Sequence, residues 1–330
     1  MIYIEPAQQD AAYHFAAEEY VTQSFPQHDI VWMLWRNKPC VMLGQNQVAD
    51  AEVNLREARR LGVAVTRRAS GGGTIYTDEG TLQFTRIAPF SLGAGSVERE
   101  REALSEPLLY ALRQIGANAK LDGRNDITLD GAKVSGMAQY YTRGRACSHA
   151  SLLYSANLDA LARVLRPDED KIKAKALRSV RARVRNVADT RSATPLSGFL
   201  PILINVIKEY GAAEHVLTPA DHAAIERVRA EKYASDAWTY GKSPAFSFRS
   251  AKRFPQGNLD VSLDVAQGVI KNCVICGDFL GVLPTASLET RLVGVPYILA
   301  DVRACLAGMD LRPYLGGIAA DEFVSVMFSG

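Results

Sequence analysis

The 330-residue chain lacks the motifs that mark the commonest nucleotide-binding folds. It contains no Gly-x-x-x-x-Gly-Lys-Ser/Thr segment, so a P-loop is not supported. No Gly-x-Gly-x-x-Gly opens a helix, so a dinucleotide-binding fold is not supported either. Any phosphate site must therefore be built in another way.

Long hydrophobic runs and cysteine pairs are also scarce. No apolar stretch reaches the ~18 residues of a membrane span, and the N-terminus does not resemble a signal peptide. Together with five scattered cysteines, this predicts a cytoplasmic protein with no membrane partner. Cys273 and Cys276 form the one close pair, but no second pair or nearby histidine completes a zinc site. We favour two strand positions over a metal or redox site.

The charge is nearly balanced, with Lys+Arg 38 against Asp+Glu 36 and a formal net charge of +2. This balance argues against a nucleic-acid or membrane surface across the whole protein, so any basic site must be local. The length exceeds the ~100–200 residues of one typical domain. We therefore expect two domains.

What is present is an unusual stretch at residues 67–76, Arg-Arg-Ala-Ser-Gly-Gly-Gly-Thr-Ile-Tyr. β-Branched and aromatic residues flank it, which predicts two short strands, 63–66 and 74–77, forming a hairpin around the glycines. Gly71 to Gly73 would let a ligand approach the backbone, with amides and Arg68 binding an anion. The alternative is a glycine-rich hairpin with two solvated arginines.

Periodicity and turn residues predict the other elements. Strands 30–35 and 40–44 are expected to form a hairpin around Asn-Lys-Pro, and strand 82–87 is expected to extend the same sheet as the glycine hairpin. Helical spacing is found in residues 10–25, which we expect only to pack, and in 51–61, 97–115, 196–210 and 219–233. Short helices are expected near 285–292 and 296–305.

A second informative region is a predicted hairpin over residues 123–138 that turns at Asp130-Gly131. On its return strand, Lys133 and Ser135 should share one face and Val134 the other. A strand lysine can hold a charge still, although alone it would more often be solvated. His149 also falls on a predicted strand, where a lone histidine is more often structural.

Residues 166–185 form a basic run with few large apolar side chains. Taken in isolation, this composition favours a solvated face over a mobile lid that closes on an anion. A polar, turn-rich passage near residues 241–244 precedes β-rich sequence at 259–265. We therefore predict a domain boundary near residue 245, with domains over 1–245 and 246–330.

Together these segments resemble the lipoate-protein ligases in their long form, which carries a C-terminal accessory domain. The resemblance covers nearly the whole chain, and the C-terminal part of it runs from Trp238 to Leu280. Its most specific segments are residues 67–76, Gly-Arg-Asn-Asp at 123–126, Gly-Ala-Lys-Val-Ser-Gly at 131–136 and Leu-Arg-Ser-Val-Arg-Ala-Arg-Val-Arg-Asn at 177–186.

The resemblance implies an α/β (α+β) fold: a mixed-sheet catalytic domain like that of biotin and lipoate ligases, with a smaller C-terminal α/β accessory domain. The implied activity is ATP-dependent activation of lipoate to lipoyl-AMP and transfer to a lysine of a lipoyl-domain protein. Such acceptors are acyltransferase subunits of 2-oxoacid dehydrogenases or the glycine-cleavage H protein. The implied ligands are ATP, Mg²⁺ and lipoate, with no nucleic acid.

The resemblance also implies roles for particular residues. Lys133 is the implied catalytic residue, touching the α-phosphate and the lipoyl carbonyl, and Asp126 would help to hold Mg²⁺. The resemblance implies that the basic run is an adenylate-binding lid. This replaces the solvated face that its composition alone favours. The residues implied to bind ATP or lipoyl-AMP are Arg68, Ser70, Gly71, Gly72, Gly73, Thr74, Ile75, Tyr76, Asn125, Asp126, Lys133, His149, Ser179, Val180, Arg181 and Arg183.

Two positions depart from the family pattern. Residues 148–151 read Ser-His-Ala-Ser where His-His-Gly-Thr is frequent, and Thr81 replaces the usual Asn or Asp. These changes bear on the acceptor preference and on the lipoyl tunnel. The alternative activity is an octanoyl or lipoyl transferase that carries the acyl group on a cysteine. Cys147 is the one cysteine near the expected site, and no neighbour in sequence lowers its pKa.

Overall fold

The computed structural model describes residues 1–123, 125–165, 184–190, 194–241, 248–266 and 268–328. Its N-terminal part contains an eight-stranded mixed sheet and a three-stranded sheet, and its C-terminal part contains a three-stranded antiparallel sheet. The predicted mixed α/β fold with a smaller C-terminal α/β domain is confirmed. The expected boundary near residue 245 lies outside the described residues and stays a prediction.

The eight-stranded sheet is covered on both faces. Strand Val31–Trp35 has no polar residue and is buried throughout, as expected where a strand lies between two packed layers. Trp32 and Leu34 face one core, and Met33 and Trp35 face the other. In spatial order the strands are β11 (Ala213–Glu214), β1 (Ile2–Ile4), β2 (Val31–Trp35), β6 (Thr81–Pro89), β10 (Arg145–Leu153), β9 (Ala132–Thr142), β8 (Asp126–Leu129) and β7 (Lys120–Asp122).

Helix α1 (Ala11–Ser24) packs on one face of this sheet, and α4 (Ser96–Gln114) and α6 (Leu196–Glu209) pack on the other. Three predicted helices are thus confirmed. The helix predicted at 51–61 is two helices, α2 (Ala49–Glu52) and α3 (Leu55–Arg60), because Val53 between them forms a β-bridge with Leu165. The others are α5 (Leu158–Val164), a 3₁₀ turn (Val187–Asp189), α7 (Pro219–Val228) continued by a π-helical turn (Arg229–Tyr233), and α8 (Asp236–Tyr240).

The two hairpins expected in the first 77 residues are wrong. Strand β3 (Cys40–Leu43) does not pair with β2, because both edges of β2 are occupied by β1 and β6. Instead β3 is the centre of the small sheet, parallel to β4 (Ala64–Arg67) and antiparallel to β5 (Ile75–Thr77). The glycine stretch therefore crosses over the end of β3 instead of turning between paired strands, and β6 extends the large sheet instead of the small one.

The hairpin of β8 and β9 is confirmed, with positive φ at Asp130 (51°) and Gly131 (79°). A register shift opposite Ile127 and Thr128 places a bulge beside Lys133, which interrupts the expected alternation. Lys133 lines a cavity, whereas Ser135 is buried.

The C-terminal domain folds around its own apolar core. Both cysteines of the close pair lie on its last strand and are buried, and burial raises the pKa of Cys273 to about 12. These facts agree with structural strand positions. The elements are β12 (Phe248–Phe254), β13 (Gly257–Ala266), β14 (Val269–Gly277), α9 (Ala286–Leu292), α10 (Leu299–Leu306) and α11 (Ala320–Met327), of which β12 and α11 were not predicted.

Candidate active site

A cavity of about 150 Å³ lies where both N-terminal sheets meet the C-terminal domain. Its apolar wall includes Phe15 of α1, Trp35 at the end of β2 and Met42 of β3. Lys133 and His149 are the ionisable side chains of its β9 and β10 wall. A mostly apolar cavity with a few fixed polar groups is typical of a small-molecule site.

His149 is held by a buried chain of hydrogen bonds. Its Nδ1 lies 3.2 Å from Glu18 Oε2, and its Nε2 lies 2.6 Å from Ser70 Oγ. Thr85 Oγ1 donates to the other Glu18 oxygen at 2.5 Å. Because an ionised carboxylate only accepts, Glu18 favours the tautomer with hydrogen on Nδ1, which leaves Nε2 to accept from the Ser70 hydroxyl.

Arg68 organises the glycine stretch. Its guanidinium donates to the carbonyls of Gly71 and Gly73, each at 2.8 Å, and to Met42 O at 3.0 Å. Its Nε donates to Ser70 Oγ at 3.0 Å. Burial lowers the pKa of Arg68 to about 10, so the side chain remains a cation at neutral pH. Arg68 lines the cavity, but most of its N–H donors bond to neighbouring backbone and side-chain oxygens. Those donors hold the loop in place and are therefore not available to a ligand.

The glycine stretch also touches the C-terminal domain. The Gly72 amide donates to Phe279 O at 3.0 Å, so this donor is already used. Gly72 has φ of 90°, and a Cβ there would lie 2.8 Å from Leu280 Cδ2. Gly73 differs, because a Cβ at that position would meet nothing within 4 Å. Gly72 and Gly73 line the cavity, whereas Ser70 and Gly71 are not part of its lining.

The three residues after the glycines divide between two environments. Thr74 and Ile75 line the cavity, and Thr74 Oγ1 donates to Gln47 Oε1 at 2.6 Å. Tyr76 is buried in a separate apolar cluster with Val41 and Leu43. Its side chain therefore packs away from the cavity.

Lys133 Nζ forms an ion pair with Asp126 Oδ1 at 2.7 Å. Each side chain is 35% exposed, so both groups remain open to solvent and to ligands. Asn125 lines the cavity and donates from Nδ2 to Met137 O at 2.9 Å, which ties β9 to the start of β8. Lys133, Asn125 and Asp126, three of the residues predicted to bind ATP, are thus brought together beside the cavity.

Four proposed adenylate-binding residues, Ser179, Val180, Arg181 and Arg183, lie outside the described residues. Val184, the first described residue after them, forms a parallel bridge with Lys133. The Arg185 amide donates to Lys133 O at 2.9 Å, and its side chain pairs with Asp130 at 3.1 Å. The end of the basic run is therefore attached to the lysine strand.

Cys147 has neither the exposure nor the environment of a nucleophile. It is fully buried, and burial raises the pKa of its thiol well above the ordinary value. Glu18, Cys147 and His149 place ligand atoms within 4.8 Å of one another, a spacing that could hold a metal ion. Metal binding needs a thiolate, which burial opposes, and Glu18 and His149 are already paired, so we assign no metal here.

Sequence reasoning missed several residues of this site. Helix α1 was expected only to pack, yet Phe15 and Glu18, three positions apart and so on one helix face, reach the cavity and its polar network. The available signal was the position of Glu18, which falls three residues after Phe15 on the same helix face as an apolar residue. Leu280 gave no signal, because only the packing of the C-terminal domain brings it to the cavity. Thr81 instead stabilises the turn into β6 by donating to Asp78 O at 2.7 Å.

Two protein-family models match this chain and show the class of protein to which it belongs. The family model described as the lipoyl protein ligase A/B catalytic domain matches residues 10–207. A second model, the bacterial lipoate protein ligase C-terminus, matches residues 243–327. The chain belongs to the lipoate-protein ligase family, in the form that carries this C-terminal domain.

Individual relatives agree with the family models. The lipoate-protein ligase LplJ of Bacillus subtilis (strain 168) is 34% identical over 324 residues, which cover 97% of each protein. A crystal structure of P. falciparum LipL1 in complex with lipoate aligns over 94% of each chain, with a TM-score of 0.77 and 19% identity. A structure of lipoate-protein ligase A bound with ATP is 25% identical over 73% of this chain and 97% of its own, with a TM-score of 0.63.

Proposed function

We propose that this chain activates lipoate with ATP to form lipoyl-AMP and transfers the lipoyl group to a lysine of a lipoyl-domain protein. The observation that carries the proposal is the small apolar cavity with Lys133 at its edge, between the glycine stretch and the end of the basic run. An apolar acyl chain suits the cavity wall, and a carboxylate suits the lysine. The ATP-bound and lipoate-bound relatives support the same pair of substrates.

The first step is adenylation. A lipoate carboxylate oxygen attacks the α-phosphorus of ATP, the bond to the bridging oxygen breaks, and pyrophosphate leaves. Negative charge grows on the phosphoryl oxygens, where the Lys133 ammonium would stabilise it. Asp126 pairs with that ammonium at 2.7 Å, so binding of the anionic substrates would exchange one counter-ion for another.

The second step is transfer. The neutral amine of the acceptor lysine attacks the lipoyl carbonyl, an amide forms, AMP leaves, and the amine loses its extra proton to solvent. Charge develops on the carbonyl oxygen, for which Lys133 is again the proposed partner. Acyltransferase subunits of 2-oxoacid dehydrogenases and the glycine-cleavage H protein are the acceptors that we propose.

Asp126 fits a role in holding Mg²⁺. Magnesium in nucleotide sites is usually bound through one or two carboxylates, with phosphate oxygens and water completing the shell. The Asp126 carboxylate is 35% exposed and next to Asn125, which lines the cavity. The ion would neutralise the nucleotide phosphates. By taking the place of Lys133 beside Asp126, it would also leave the lysine ammonium free to contact the reacting oxygens.

A cytoplasmic location is the inference best supported by the thiols. None of the five cysteines forms a disulfide, which fits a reducing compartment. Among the described residues, no helix combines the length and apolar character needed to cross a membrane.

The decisive experiment incubates the purified full chain with lipoate, ATP, Mg²⁺ and purified lipoyl domains. Intact mass spectrometry should show one lipoyl group added to the acceptor, and pyrophosphate should be released even when the acceptor is omitted. Acylation that proceeds without ATP from an acylated carrier protein would replace this proposal by the transferase activity.

A further inference from the structure

The catalytic cavity borders a much larger cleft between the two domains. The cleft has a volume of about 820 Å³ and is lined by the start of α4 and by the C-terminal segments 280–283 and 310–317. Four residues line both spaces: Asn125, Met137, Ala138 and Leu280. Asn125, Met137 and Ala138 belong to one hydrogen-bonded hairpin, which forms a continuous floor. Leu280 is the shared residue from the C-terminal domain.

The cavity alone is too small for the proposed reaction. A cavity of about 150 Å³ holds a ligand the size of benzene, whereas small-molecule sites typically measure about 300–1,000 Å³. An acyl adenylate must therefore extend beyond the cavity. The space next to it is the cleft, and the Leu280 side chain lies at the boundary between the two.

The main chain of Leu280 cannot easily withdraw from this boundary. Phe279 O accepts the Gly72 amide at 3.0 Å on one side. On the other side the Leu280 backbone packs on Gly316, where a Cβ would lie 2.6 Å from Leu280 N. The Val282 amide donates to Pro313 O at 2.7 Å. Because these contacts hold the backbone in place, the size of the side chain at position 280 sets the width of the boundary between the cavity and the cleft.

We propose that Leu280 is a specificity-determining residue, a wall supplied by the C-terminal domain that limits the carboxylic acids the cavity accepts. The proposal rests on the proposed function for the identity of the acid. The wall excludes longer or bulkier chains, which would otherwise turn into the cleft.

The chain offers a matched control three residues away. Leu283 is also half-buried and lines the cleft, but it does not line the cavity. Leu283→Ala should therefore enlarge the cleft without joining it to the cavity, whereas Leu280→Ala should join the two. Leu280→Phe should narrow the cavity and disfavour the ring of lipoate relative to unbranched octanoate.

The test measures binding of octanoate, lipoate and dodecanoate by calorimetry to the full-length wild type and each variant, without ATP. We expect Leu280→Ala to raise dodecanoate affinity relative to octanoate by at least about tenfold, the discrimination that a few methylene contacts provide. Leu283→Ala should keep the wild-type ratio, and Leu280→Phe should lower lipoate affinity relative to octanoate.

An unchanged ratio in Leu280→Ala, or an equal shift in Leu283→Ala, would overturn the proposal. If Leu280→Ala does not fold, an unchanged lipoate-to-octanoate ratio in Leu280→Phe would overturn it as well. Pyrophosphate release from lipoate and ATP by the wild type is measured separately. Its absence would reject the ligase function, whereas the binding ratios test the wall independently.

Discussion

Glu18 Oε2 lies 3.2 Å from His149 Nδ1, and this contact joins the first helix to the wall of the candidate active-site cavity. Glu18 is buried and also accepts from Thr85, so it has no solvent to replace a lost partner. The histidine ring is thereby fixed in orientation and in tautomer. Substitution of Glu18 should consequently change ligand affinity through His149, although Glu18 itself does not line the cavity.

Glu18→Gln should weaken lipoate binding and lower the free energy of unfolding by about 1–3 kcal/mol, the usual effect of a disrupted buried polar contact. The amide cannot reproduce both acceptors, so His149 loses its fixed tautomer. Urea denaturation and lipoate calorimetry measure the two effects. The control is Glu19→Gln, because Glu19 binds Lys232 and Tyr233 instead of His149. Equal losses of lipoate affinity in both variants would count against this role of Glu18.

Local sequence determined the hairpin that carries Lys133, because Asp130-Gly131 specifies a tight turn between alternating strands. The pairing of β3 could not be read in the same way. Its neighbours β4 and β5 are distant in sequence, and the choice depends on both edges of β2 being occupied. Leu280 is further still, since it reaches Gly72 only when the C-terminal domain packs on the glycine stretch. The turn residues thus predicted the hairpin that carries the Lys133 ammonium. The walls of the cavity depend on tertiary packing, which local sequence does not show.

Lys133→Ala should reduce both half-reactions by roughly 10²–10³, the usual effect of removing one positioned donor. Lys133→Arg should not restore full activity, because a planar guanidinium cannot replace a compact ammonium between two oxygens. The side chain is 35% exposed, so the melting temperature should change little. Pyrophosphate release and transfer from preformed lipoyl-AMP provide the rates. An alanine variant with near wild-type rates in both steps would refute the catalytic assignment.

Gly72→Ala and Gly73→Ala should behave differently although the residues are adjacent. At Gly72, φ of 90° and the contact with Leu280 should together lower the free energy of unfolding by about 1–3 kcal/mol. At Gly73 a methyl group meets nothing, so stability should be nearly unchanged. Thermal denaturation compares the two variants. Equal melting temperatures would show that the close approach of Leu280 to Gly72 is not maintained in solution.

Cys147→Ala should leave the ligase reaction largely intact. The thiol is buried and its pKa is raised well above the ordinary value by burial, so little thiolate forms at neutral pH. Rates of acceptor lipoylation, followed by intact mass, test this expectation. A large loss of transfer in the variant, together with an acylated cysteine in the wild type, would instead favour the transferase reaction.

His14 should make the stability of the protein depend on pH. It is buried against Trp35, with ring centroids 4.4 Å apart, and burial lowers its pKa from the ordinary value of 6.5 to about 4. The unfolded chain therefore binds a proton at higher pH than the folded one. The stabilisation is fully present above about pH 6.5 and is lost as the pH falls toward 4, by about 3 kcal/mol in total.

His14→Phe keeps an aromatic ring against Trp35 but cannot titrate, so its free energy of unfolding should fall less steeply between about pH 7 and pH 4. Carboxylates titrate in the same range, but they are common to both proteins and cancel in the difference. His28→Phe is the control, because it replaces a histidine whose side chain is 87% exposed. Urea denaturation at several pH values measures the slopes. Parallel pH profiles for the wild type and His14→Phe would show that His14 is not held neutral by burial.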